Sequence, residues 1–257
     1  ISMNQGGGAF HKFGKLLKYD FLESFYSIVL INGVLLALMA ISNAIIMDSN
    51  STIAWLLLLF VMPFGFLLSI AFLAITIIRL LYNRLFTSDG YLTFALPVSV
   101  DAILTSKILV SSVYVILSGV VIGLWALILA TTSAELGSLL GYFNAFYFNA
   151  FVDSPYAMVL LVITQITSVF AMSALVLLIL AILHIGAITR FKVLCGIALF
   201  LFFSTIEGII SAIIMVAVGE NSSAFTTIWA YSGVFNVIKC AIYYAITRYL
   251  VANKLEI

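Results

Sequence analysis

Residues 154–183 read SPYAMVLLVITQITSVFAMSALVLLILAIL, a run without one charged side chain. A membrane-spanning helix needs roughly 20 consecutive, mostly apolar residues. This stretch is longer than that, and apolar on every side of a helical wheel. A helix with no polar face has nothing to turn towards water. Working outward, three more uncharged runs have the same character: residues 24–47, 49–78 and 108–134. A fifth, 193–219, is interrupted only by Glu207, and a sixth, about 227–250, is interrupted by Lys239, with Arg248 at its end. Helix-end signals trim these to spans at about 25–47, 54–82, 104–131, 155–184, 193–219 and 227–250. The fold predicted is all-α: a polytopic membrane protein with six transmembrane helices and an amphipathic interfacial helix at the N-terminus.

Composition excludes the other classes. Of 257 residues, 65% are hydrophobic and 8% charged, where a soluble domain carries about 25% charged residues. The mean hydropathy is +1.28. A soluble globule of this length cannot hide so much apolar surface, which removes soluble enzymes, nucleic-acid binders and disordered chains. The net charge of +1 says nothing about partners. Ile1 and Ser2 precede Met3 and read as a cloning scar. Residues 1–9 are taken as that scar plus a flexible N-terminus, and residues 10–257 as one six-helix transmembrane domain. The first apolar run is too long for a signal-peptide core.

Where the charges sit sets the orientation. Lys12, Lys15 and Lys18 precede span one. Arg79, Arg84 and Lys107 flank the connection between spans two and three, Arg190 and Lys192 that between four and five, and Arg248 and Lys254 follow span six. All fall on one side. The opposite connections hold Asp48, Glu135, Asp153 and Glu220 and no basic residue. The positive-inside rule puts both termini in the cytoplasm.

Four local features stand out. Residues 10–25 read as an amphipathic helix with Phe10, Phe13, Leu17 and Phe21 on one face, lying on the inner leaflet and meeting span one at an elbow; the alternative is a plain extension of span one. Pro63 lies inside span two, as a hinge or a static kink. Gly119 and Gly123 in span three form a small-xxx-small pair suited to close helix packing. The outer connection 131–155 is rich in aromatics, among them Tyr142, Phe143, Phe146 and Tyr147. Its aromatics suit the membrane interface, either as simple anchors or as an external lid over a central path.

The inner connection is more informative. Residues 82–107 read YNRLFTSDGYLTFALPVSVDAILTSK. After a turn at Ser88-Asp89-Gly90 come Tyr91, Leu92, Phe94 and Leu96. Pro97 stops any helix, and Ser99 or Asp101 is placed to cap the next. A short, partly apolar helix on the cytoplasmic face is a docking element, because its exposed side chains want a partner.

Chemistry-bearing motifs are missing. Gly14-Lys15 fails the phosphate-loop pattern, with Ala9 and Leu16 at its key positions. Neither His11 and His184 nor Cys195 and Cys240 belong to any metal-ligand spacing. His184 suits a snorkelling or capping role, and the cysteines read as buried thiols. No nucleophile elbow and no acidic pair beside a histidine occurs. Catalysis by the chain itself is not expected, and it is read as binding no cofactor.

Two charges remain inside the membrane. Glu207 lies roughly 22 Å of helix from the inner boundary, and Lys239 roughly 14–22 Å. Spans five and six are antiparallel neighbours, so the two residues sit at similar depth. Isolated charges there are costly and pairing is the remedy. A Glu207–Lys239 ion pair facing the bundle interior is predicted, either as fixed packing or as part of a transport path.

The run Asp89-Gly90-Tyr91-Leu92-Thr93-Phe94-Ala95-Leu96-Pro97-Val98-Ser99, followed by Ser106-Lys107, resembles the small six-span permeases of bacterial type-2 ATP-binding-cassette exporters. The opening Phe13-Gly14-Lys15-Leu16-Leu17-Lys18-Tyr19-Asp20-Phe21 is similar to theirs, with Asp20 where Glu is common. The likeness covers about the first 115 residues by motif and the rest by topology. It implies a permease that pairs with a second copy or a paralogue in the bacterial plasma membrane. It also implies a separate cytoplasmic ATPase subunit holding ATP and Mg. Asp89, Gly90, Tyr91, Leu92, Phe94 and Leu96 would then be the ATPase-coupling segment, with the amphipathic start beside it. Permeases of this group are associated with export of antimicrobial or toxin-like peptides and with drug efflux, so amphipathic peptide or hydrophobic cargo is expected. The alternatives are an ion-coupled secondary carrier using Glu207 and Lys239, and a non-transporting membrane scaffold or sensor.

Overall fold

The computed structural model describes residues 5–48, 52–82, 85–86, 99–132, 155–186, 191–219 and 225–254. These form six helices: α1 (Gln5–Asp48), α2 (Thr52–Tyr82), α3 (Val100–Thr132), α4 (Pro155–Ile185), α5 (Lys192–Gly219) and α6 (Phe225–Lys254). Among the described residues there is no strand. Five segments are long and apolar enough to cross a membrane: His11–Leu38, Val100–Leu124, Val159–Ile185, Lys192–Ile214 and Thr227–Asn253. In α2 the segment Ile70–Tyr82 is apolar but shorter; the helix as a whole has 31 residues and runs through Pro63.

The N-terminal segment is not set off from the first span. α1 is one helix of 44 residues, so residues 10–25 extend the span instead of meeting it at an elbow. No proline interrupts it, and the same stripe docks on its neighbours over most of its length. Leu16, Asp20, Ser24, Ile28 and Leu35 are buried along that stripe. Phe13, Leu17 and Phe21 are only half-buried beside it, because the face that packs is rotated towards Asp20. The side chain of Phe10 lies outside the described residues.

α4 is the central helix. Ala174, Leu175, Leu177, Leu178, Ile179 and Ala181 are buried, in a cluster that also takes Leu81, Leu85, Phe86, Ile103, Leu104 and Tyr243. α6 lies tightly along α4, and α1 packs between α2 and α3. Contact of α3 with α4 joins the two groups. The close approach of α6 to α4 has a cause in the sequence: Gly233. A methyl there would stand 3.1 Å from Thr164 Oγ1. That hydroxyl donates to Trp229 O at 3.0 Å, and Asn236 Nδ2 donates to Thr164 O at 3.4 Å. By contrast, a methyl on Gly119 or Gly123 would meet nothing within 4 Å. Among the described residues, the small-xxx-small pair faces away from the other helices.

α5 is held most lightly. No residue of its spanning window is buried. Ile197, Leu201, Phe202, Ile209, Ile213 and Val216 are exposed, a surface suited to hydrocarbon. Cys195, Leu199, Phe200 and Phe203 turn the other way, onto the main core. Cys240 packs on that core too, and both cysteines are free thiols. The ring of His184, in the last turn of α4, lies 5.2 Å from that of Phe86.

Candidate functional site

The structure brings Glu207 and Lys239 together. Lys239 Nζ lies 2.9 Å from Glu207 Oε2, with the side chains 15% and 26% exposed respectively. Tyr243, one turn below Lys239, donates its hydroxyl to Glu207 Oε1 at 2.5 Å. The spacing explains the trio: residues 239 and 243 share a face of α6, so both reach one carboxylate on α5. The ammonium also lies 4.9 Å from the Phe235 ring centroid, one turn above. Phe203 on α5 meets Tyr243 edge to face at 6.1 Å. The carboxylate thus has a partner on each oxygen, the arrangement a charge in low dielectric requires. Partial exposure leaves one side of the clasp open.

A second polar cluster is fully buried, and reading the sequence did not find it. Asp20 in α1 and Lys107 in α3 form an ion pair at 2.9 Å, both side chains 1% exposed. Ser106 donates its hydroxyl to the other Asp20 oxygen. Two turns further along α3, Tyr114 stacks on Phe21 at 5.2 Å and donates to the Phe21 carbonyl. Asn32 donates to Ser118 Oγ at 3.2 Å. Asp20–Ser106 and Asn32–Ser118 are each 86 residues apart in sequence. A constant offset means that α1 and α3 run parallel and in register for about 18 Å. α3 buries hydroxyls along this line, namely Ser106, Ser111, Ser112 and Ser118; Ser112 bonds Ser173 of α4 at 3.2 Å. Without water in the bilayer core, such bonds and close packing are what hold helices together.

Lys107 therefore belongs to the interior of a helix pair, although its position after the inner connection made it look like a loop charge. Asp20 and Ser106-Lys107 both lie in stretches singled out in the sequence. Nothing in spacing or periodicity joins residues so far apart.

Where α3 begins and α6 ends, Asp101 gathers a third cluster. Arg248 Nε lies 2.7 Å from Asp101 Oδ1, and Tyr244 donates to the same oxygen at 2.8 Å. Of the two candidate caps for α3, Ser99 does the capping: its Oγ accepts from the Ala102 amide at 3.3 Å. Asp101 is left to reach α6. The coupling segment Asp89, Gly90, Tyr91, Leu92, Phe94 and Leu96 lies outside the described residues, as do the lid residues Tyr142, Phe143, Phe146 and Tyr147. Among the described residues, no three His, Cys, Asp or Glu side chains gather as a metal site.

Comparison with known proteins adds no relative: no family model, curated protein or solved structure matches the chain.

Proposed function

We propose that this chain is the membrane subunit of an ATP-driven exporter in a bacterial plasma membrane. It has six spans with both termini cytoplasmic and works as a dimer. Each copy docks a separate ATPase subunit, which holds ATP and Mg. The ATPase docks on the coupling segment 89–96, and the cargo is an amphipathic peptide or a hydrophobic drug. One observation carries the reading: Asp20 meets Ser106 and Lys107 in a buried cluster. The two separate stretches that resemble the permease family are thereby joined in space. That contact ties the N-terminal segment to the helix that emerges from the coupling segment, so a push on residues 89–96 moves both as one body.

A second reading is favoured by the clasp of Glu207, Lys239 and Tyr243, half-open within the spans. An ion-coupled carrier would load its proton or ion there. Inverted membrane vesicles from the native host separate the two. ATP-dependent uptake of a labelled cationic amphipathic peptide, lost when this chain is deleted, supports the exporter. Uptake that needs no ATP and collapses with an uncoupler supports the carrier.

A further inference from the structure

The outward face of the first half of α1 changes from basic to aromatic and apolar along its length. Lys12, Lys15 and Lys18 are all exposed; so are Tyr19, Leu22 and Tyr26, the last at 86%. At helical spacing these six positions fall within an arc of about 120°. They lie opposite the stripe of Leu16, Asp20, Ser24 and Ile28 that packs on the other helices. Among the described residues no ion pair engages the three lysines. Glu23, at the edge of the face, is the carboxylate next to it in sequence.

The depth of this face follows from the register of α1 on α3. An offset of 86 residues sets Lys15 level with Asp101 and Lys18 level with Leu104. That is the level at which Arg248 of α6 meets Asp101, the inner rim of the bundle. Lysines three residues apart on a helix lie about 5–6 Å from one another and repel. A shared anion relieves that repulsion. Tyrosines belong at headgroup depth, and lysine stems extend towards the interface.

We infer that this face is a docking site for anionic lipid headgroups of the inner leaflet. The ammonium groups of Lys12, Lys15 and Lys18 take the negatively charged phosphate. Tyr19 sits beside the glycerol region, and Leu22 and Tyr26, about one and two turns deeper, meet the acyl chains. A zwitterionic lipid, with no net charge to offer, is bound less well. Because Asp20 is locked to Lys107, a lipid held here also holds the start of α3 at the membrane surface. The inference rests on the spanning helices and the lysine face, not on the exporter reading.

The test is lipid retention by the purified full-length chain, read by native mass spectrometry after exchange into mixed phosphatidylglycerol and phosphatidylcholine. The wild type is expected to retain phosphatidylglycerol preferentially. Replacing all three lysines with glutamine (Lys12→Gln, Lys15→Gln, Lys18→Gln) is expected to cut that preference at least about tenfold. Three arginines in their place are expected to keep it, as is a control with Arg79→Gln, Arg190→Gln and Lys192→Gln. On the wild type, about 0.5 M salt is expected to weaken retention, since screening then acts within a few ångströms. An unchanged preference in the glutamine variant, or an equal loss in the control, would overturn the site. Displacement of the lipid by millimolar inorganic phosphate would overturn it as well, marking a free-anion site instead of a lipid surface.

Discussion

Asp20 and Lys107 are charges that solvent does not reach, so each depends on the other. Desolvating two ions costs several kcal/mol apiece, and removing one partner leaves the other uncompensated. Asp20→Asn is therefore expected to destabilise the detergent-solubilised chain by about 3–5 kcal/mol, read as a lower midpoint of thermal unfolding. The double replacement Asp20→Leu with Lys107→Met removes both charges and keeps bulk. It is expected to recover most of that loss, and a double variant as unstable as the single would count against direct pairing. The Glu207–Lys239 clasp is less enclosed by protein, so a side chain left without its partner has room to turn away and single losses there are expected to be smaller. Tyr243→Phe, which strips one hydrogen bond from a carboxylate, is expected to cost about 1.5 kcal/mol. Glu207→Lys combined with Lys239→Glu is expected to restore what either single change loses, by the same unfolding assay. No recovery would mean that the two side chains act separately.

At the scale of elements, α4 and α6 are held at close approach by Gly233. A methyl at that position must push Thr164, whose hydroxyl is already bonded to Trp229 O. Gly233→Ala is expected to destabilise the chain by about 1 kcal/mol despite the better helix propensity of alanine. Gly119→Ala, with open space around it, is expected to be neutral or slightly stabilising. Equal effects at the two sites would argue against the close approach. The same contrast shows what a sequence reader sees and misses here. Long uncharged runs such as 154–183 declare themselves, since their length and hydropathy are local properties. Glu207 and Lys239 were also legible together, because each is the charge set deep within its span and depth follows from rise per residue. Which small residue marks a helix contact was not legible: the Gly119/Gly123 spacing looked like a packing motif, while Gly233 stood alone. Nor was the Asp20–Lys107 pair, since each charge lay near a boundary where loop charges are normal. Pairing across elements depends on tertiary register, which neither residue's neighbours encode.

Taken whole, the molecule is two helix groups joined along α3 and α4, with α5 loosely attached through its clasp. Much of the outer surface is aliphatic and aromatic. The charged clusters at Asp101–Arg248 and Asp20–Lys107 lie towards one end, the end at which α3 begins. The most buried of these ion pairs, Asp20–Lys107, lies two turns into the helix that follows the segment proposed to meet an ATPase. The most direct test is therefore at that segment. The detergent-solubilised chain is captured from its native host, wild type beside Leu92→Asp. We expect the wild type to bring down a nucleotide-binding ATPase subunit in equal amount, and the variant to come down folded but without it. A wild-type chain that is folded and monodisperse yet arrives alone would contradict the exporter account and turn attention to Glu207 as the coupling residue of a carrier.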